Sequence, residues 1–320
     1  MKKALFFLFL SIILLLSSCV PPDIFEPGQL QKLTEKIVFY RTFGFPGALE
    51  GQFNAPYDIT ADKDGNIYVA DTGNHRIQKF DHRGRFLKSW GTPGTGDGEL
   101  NTPIAIRLDS TGNVWVLDLG NSRLQKFTPN GKYLMQFGEG GTGNGQFSSP
   151  YDFAIDPRNG NIIVADTGNF RVQVFNSKGQ FIRQWGESGT GNYQFTAIYS
   201  VDIDHLGNIY TLDIAQQLLK KFNSQGKILK KWGQAGQGDS EWLMPYRLAV
   251  DEAGYIYVAD GGNYKVLKFD PNGTFLGKFG KMGGAPQDFI MPFGIFARQN
   301  KIYVSDIGLT QIKIFEVIME

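Results

Sequence analysis

Cysteine is nearly absent from this chain: Cys19 is the only one in 320 residues, so no disulfide can form within it. Histidine is almost as scarce, with His75, His82 and His205 alone. A catalytic zinc generally takes three protein ligands with histidine prominent, so these three would have to converge to build one. Charge of one sign is lacking too, with 32 Lys and Arg against 31 Asp and Glu. That balance excludes the basic surface a nucleic-acid binder relies on. The apolar run Ala4 to Leu16, broken only by Ser11, is too short for a membrane-spanning helix. No later run carries a 3.6-residue apolar period long enough for a helix. What is plentiful is glycine, 40 residues of it, beside 42% hydrophobic residues that can fill a core.

The N-terminus begins Met1-Lys2-Lys3, continues into that apolar run and closes with Leu16-Ser17-Ser18-Cys19. A basic start, an apolar core and small residues read as an export signal over residues 1–18. The closing four residues resemble the bacterial lipobox, which makes Cys19 the expected site of lipidation by acyl chains such as palmitate. Residues 19–36, with three prolines after the cysteine, read as a tether, and 37–320 as the folded domain. Loss of Lys2 and Lys3 leaves 30 basic against 31 acidic groups, a net charge of −1. Val20 stands where an acidic residue would signal inner-membrane retention. The expected location is therefore the cell envelope, lipid-anchored, on the outer membrane if the source is Gram-negative.

From Gln52 to Gly91 the chain carries a passage that returns, edited, to its end. Asp71 recurs as Asp118, Asp166, Asp213, Asp260 and Asp306, at spacings of 47, 48, 47, 47 and 46. Phe80 recurs without substitution as Phe127, Phe175, Phe222, Phe269 and Phe315. A period of this size marks an array of structural repeats. Within one unit, turn residues separate four apolar or alternating runs, about Tyr57–Ala61, Ile67–Ala70, Arg76–Phe80 and Phe86–Trp90. The turn Asp81-His82-Arg83-Gly84 ends in a glycine whose counterparts are Gly131, Gly179, Gly226 and Gly273, as a left-handed closing position requires.

Antiparallel order puts the short one-two and three-four turns on one face. The two-three turns and the long loops between units lie on the other, so loops suited to binding gather there. The last unit stops after strand three, while Ile37–Phe43 is an orphan resembling strand four. The expectation is an all-β, six-bladed β-propeller of four-stranded blades, the last closed by residues 37–43 beside 311–316. The turn assignment places His75 on the loop-rich face and His82 and His205 on the opposite one. They do not converge, and no serine–histidine pair suggests itself.

The residues Asn66-Ile67-Tyr68-Val69-Ala70-Asp71-Thr72-Gly73-Asn74-His75-Arg76-Ile77-Gln78 resemble the signature of the NHL repeat, and Asn161 to Arg171 is nearly as close. The resemblance covers all six units and is specific in four. Units four and six, with Ile214-Ala215-Gln216-Gln217 and Ile307-Gly308-Leu309-Thr310 after the aspartate, depart from it. It implies a six-bladed propeller that binds proteins, peptides, glycans or RNA. A minority of the family, such as peptidylglycine amidating lyases, are metal-dependent enzymes.

The repeated Asp-x-Gly-Asn-x-Arg reads as scaffold. The carboxylate accepts turn N–H groups, Gly-Asn supplies positive φ, and the arginine pairs with a neighbouring blade's carboxylate. The glycine-rich loops such as Gly138–Gly145 lack the helix and Lys-Ser/Thr pair of a phosphate cradle. Each ends in an apolar plug, at Phe53, Leu100, Phe147, Phe195, Trp242 and Phe289. Function is sought instead where the copies differ. Strand one, innermost in a propeller, carries Tyr57, Tyr151 and Tyr246 beside Asp58, Asp152 and Arg247, with Arg107 and Asp202 two positions further along. These residues can bind a polar ligand or peptide terminus, or pair with one another and with trapped water. His75, Phe170 and Tyr264, after the Gly-Asn position, form a candidate ring of partner contacts. The expected protein is a monomeric, non-enzymatic module without cofactor or nucleic acid. It recognises a protein, peptide or glycan outside the cytoplasm through its loop-rich face. The alternative is a metal-dependent lyase or lactone hydrolase, with a divalent ion near Asp58, Asp152 and Asp202.

Overall fold

The computed structural model describes residues 35–319, so the expected export signal, Cys19 and most of the expected tether lie outside the described residues. The first blade comprises Pro56–Ala61, Ile67–Asp71, Arg76–Phe80 and Phe86–Trp90, paired in that order as an antiparallel meander. Blades two to five repeat it, starting with strands Pro103–Leu108, Pro150–Ile155, Ile198–Ile203 and Pro245–Val250. In the sixth sheet, Pro292–Arg298, Lys301–Asp306 and Gln311–Met319 are joined by the N-terminal strand Glu35–Phe43, beside Gln311–Met319. The innermost strands touch in sequence around a ring, and blade six meets blade one. This is the expected six-bladed propeller, closed by its two ends.

Each blade is apolar on both faces, its second strand buried at every position in blades one to five, and packs them against its neighbours, which keeps the sheets in a ring. The interfaces are sealed by a recurring trio: an aromatic from strand four of one blade, the loop plug, and the recurrent phenylalanine of the next. At the seam, Phe43 lies 4.9 Å from Phe80 between ring centroids, and Phe53 lies 5.5 Å from Phe80. Phe137, Phe147 and Phe175 repeat the arrangement at 4.9 and 5.6 Å. All six plugs are buried, pinned by parallel bridges such as Pro46 to Phe53 and Met282 to Phe289. One position in the seam tolerates no side chain. A Cβ on Gly294 would fall 2.4 Å from the Tyr57 carbonyl oxygen and 2.9 Å from the Asp58 Cα. The two inner strands close the ring through that gap.

The recurrent aspartate organises each blade's entry. Asp71 Oδ1 accepts the Asn54 N–H, while Oδ2 receives Asn74 Nδ2, Arg76 Nε and Gln78 Nε2 at 2.7 to 2.9 Å. Two details of the sequence reading need correcting. First, the arginine pairs within its own blade, because antiparallel register sets Asp71 directly opposite Arg76. Its Nη2 reaches back to the carbonyls of Leu49 and Gln52 in the entering loop. Second, the left-handed residue is the one after Gly-Asn, with φ of +54° at His75 and +56° at Phe170. Gly73 serves close approach instead: a Cβ there would fall 2.5 Å from the Asn54 side chain. The three-four turns do use glycine for its backbone freedom, with φ of +76° at Gly84 and +80° at Gly131.

Candidate functional site

On the loop-rich face, the left-handed residues turn their side chains toward the next blade. His75 Nδ1 accepts the Thr102 N–H at 3.2 Å, and Gln217 Nε2 donates to the Leu243 carbonyl at 2.9 Å. Phe170 and Tyr264 pack on the hydrophobic clusters between blades, so each is half-buried. His75, Phe170 and Tyr264 thus sit on three separate blades, each tied to its neighbour. The large exposed apolar side chains of this face lie elsewhere. Phe45 and Leu49 on the loop entering blade one, Met244 before blade five, and Met282 and Ile290 before blade six are exposed, Leu49 at 71% and Met282 at 64%. The loops entering blades two to four instead present glycine, threonine, asparagine and glutamate, with Tyr193 as their exposed large apolar residue.

The channel narrows in layers from this face inward. Nearest the loops, aromatic side chains of adjacent inner strands meet: Tyr246 stacks on Phe293 at 4.5 Å, Tyr151 stacks on Tyr199 at 4.2 Å, and Phe293 leans on Tyr57 at 4.6 Å. Beneath them lies a buried charge layer. Arg107 starts one level lower, reaches up, and donates to Asp58 Oδ2 at 2.5 Å and to Asp152 Oδ1 at 3.0 Å. Arg247 of blade five crosses the channel to the carbonyls of Ile104 and Tyr151 and ion-pairs with Asp152. The carboxylates also span gaps between inner strands: Asp58 accepts the Ile106 N–H, and Asp152 accepts the Val201 N–H and the Ser200 hydroxyl. Burial works against the Arg107 charge, but Asp58, then Asp152 and Asp202, outweigh it and raise its pKa. Two arginines and two carboxylates are thus brought together and pair their charges, as buried charges must, while Asp58 Oδ1 and Arg247 Nη1 are left without a hydrogen-bond partner.

Below this layer the channel widens into a cavity of about 810 Å3 that opens on the short-turn face. Arg107 and Asp202 reach it from the same strand position of different blades, where Thr60, Ala154, Ala249 and Phe296 stand in the others. Asp202 accepts the N–H groups of Ile203 and Val250 at 2.9 and 2.7 Å. Burial pushes its carboxyl up to about 6 despite the pull of Arg107 and those two bonds. His205 and the one-two turn residues Asp62, Asp109, Asp156 and Asp251 form the mouth. Reading binding from loop length alone missed this mouth. The signal available was the break of six-fold pattern at Arg107 and Asp202, but the open volume depends on small side chains such as Thr60 around the ring.

The fold and its loop hubs define a six-bladed β-propeller. The model of the NHL repeat matches residues 53–80, 100–127 and 147–175, three of the six units. These are the blades whose two-three turns form a 3-10 turn, whereas blades four to six make plain turns there. Among curated proteins, the B-box type zinc finger protein ncl-1 of Caenorhabditis elegans is 43% identical over 58 residues, 18% of this chain and 7% of that protein. The match thus spans under a tenth of that relative's length. A Bacteroides thetaiotaomicron protein of unknown function shares the fold at a TM-score of 0.70 and 16% identity, over 89% of this chain and 77% of that one. Virginiamycin B lyase from Staphylococcus aureus shares it at 0.59 and 13%, over 90% of this chain and 99% of the lyase.

Proposed function

We propose that this protein is a protein-binding module of the cell envelope, acylated at Cys19, that captures its partner on the loop-rich face. The observation that carries the reading is the one-sided arc of exposed Phe45, Leu49, Met244, Met282 and Ile290 across blades five, six and one. Apolar side chains concentrated on loops of a rigid scaffold suit a protein or peptide partner better than a glycan. The NHL repeats support an interaction role. The basic start, apolar core and Leu16-Ser17-Ser18-Cys19 support export and acylation, and Val20 supports the outer membrane in a Gram-negative cell. Photo-crosslinkers placed at Leu49 and Met282 are expected to trap one protein in whole cells, while one at Thr142 on the polar arc traps none. Equal labelling from both arcs, or none from either, would overturn the choice of face. Palmitate labelling that survives Cys19→Ser would overturn the anchor.

A second reading, a lyase or lactone hydrolase at the channel, is favoured by the cavity there. Its divalent-ion form needs Asp58, Asp152 and Asp202 as ligands. The first two are occupied by arginines, and among the described residues no three acidic, His or Cys side chains gather as a metal set. These residues do not fit that ion. Elemental analysis of protein purified without chelators tests the point: stoichiometric divalent metal would restore the enzyme reading.

A further inference from the structure

The channel cavity on the short-turn face is separate from the loop-rich arc and stands or falls independently of it. Its volume of about 810 Å3 lies within the roughly 300–1,000 Å3 typical of small-molecule sites. The carboxylates inside its mouth are spoken for. Asp62 receives Asn66 and Tyr68, Asp109 receives Lys126, Asp156 receives Arg158, and Asp251 receives Tyr257. Glu252 faces Arg298 at 3.4 Å, and Asp64 stands exposed at the rim. Asp202 differs. It is set on the inner strand of blade four and accepts backbone N–H groups, and among the described residues no cation or side-chain donor bonds it.

The one cation at its level does not quench it by contact. Both Arg107 Nη atoms are committed upward, to Asp58 and Asp152. A carboxylate held beside hydrocarbon at the back of a cavity gains from a cation that brings its own hydrogen-bond donors. Around it the wall is largely apolar, with Ile155, Ile203, Val250 and Phe296 beside Thr60 and Arg107. A compact charged nitrogen on a short apolar body matches that arrangement, since a bare metal ion would find one carboxylate and hydrocarbon. We propose that this cavity binds a small organic ammonium compound, with Asp202 receiving the charged nitrogen and the apolar collar holding its body.

Calorimetric titration of the full chain at neutral pH with phenethylammonium, against its neutral isostere 2-phenylethanol, tests the assignment. The amine is expected to bind about tenfold or more tightly than the alcohol, a difference of about 1.4 kcal/mol. Asp202→Asn is expected to abolish that preference while leaving the weak affinity for the alcohol unchanged. Glu252→Gln at the mouth is expected to leave amine affinity within about twofold. Equal binding of amine and alcohol by the wild-type protein overturns the proposal without reference to any variant's fold. So does an undiminished preference in Asp202→Asn, or no amine binding at millimolar concentration.

Discussion

Blades one to three and blades four and six secure their entry loops with the same aspartate but set the counter-charge two residues apart. In the first group an arginine opens strand three and a glutamine follows two residues on. Arg171 thus holds Asp166, the carbonyls of Thr142, Gly143 and Gln146, and the Gln184 side chain. In blade four the opening residue is Leu218, and Lys220 takes the glutamine's place, donating to Gly191 and Gln194. Blade six does the same with Lys313, which reaches Ala285 and Asp288, while blade five keeps its cation in front as Lys265. Gln216 replaces the asparagine of blade four and still bridges Asp213 to the Gly189 carbonyl. The loop needs donors for its carbonyls, and side chains of different length supply them from different positions. A planar guanidinium serves five acceptors at once; an ammonium serves fewer and bears a burial cost that lowers the pKa of Lys220, Lys265 and Lys313.

The harshest test of the ring is at the seam between the two groups. Gly294→Val should cost about 3 kcal/mol or more, read as a fall in urea midpoint, since a Cβ has no room against Tyr57. Arg171→Met should cost about 3 kcal/mol by leaving Asp166 without its counter-charge and the Thr142 carbonyl without a donor. Lys220→Met should cost about 1 kcal/mol, because removing a buried charge offsets part of the loss. Equal costs would erase the distinction between the two arrangements. In the channel, blade four's Asp202 contrasts with blade two's Arg107. Its folded value of about 6 lies above that of an unfolded carboxylate, about 4. The unfolded chain therefore holds fewer protons between those values, and stability is lost as pH rises through them. Asp202→Asn should remove about 2 kcal/mol of that decline between pH 4 and 7, seen in denaturation midpoints across the range. Smallest is the left-handed position. Thr310, β-branched at φ of +57°, should gain about 0.5–1 kcal/mol as Asn, whereas Ser122→Asn should change little.

Much of the fold was legible because it is written locally. The expected Tyr57–Ala61 and Phe86–Trp90 correspond to strands at Pro56–Ala61 and Phe86–Trp90, and the orphan Ile37–Phe43 does complete the last sheet. Alternation, turn glycines and a repeat of fixed period carry that information without reference to distant residues. The candidate site was legible only as residue types. That Asp58, Asp152, Arg107 and Arg247 face the channel followed from strand position, but nothing local tells whether they face a ligand or one another. The left-handed residue was misplaced onto Gly-Asn for a similar reason: Gly73 is required by Asn54, which belongs to the preceding loop.

By itself, then, the amino-acid order determined the six units and their strands, since each depends on periodicity and backbone chemistry within a few dozen residues, and the split last copy announced the sealing of the ring by its two ends. Tertiary structure alone decided which charges pair across the channel, which face is apolar and where a cavity opens. Those outcomes depend on side-chain volumes and directions meeting from blades about 50 to 140 residues apart, where sequence spacing carries no distance.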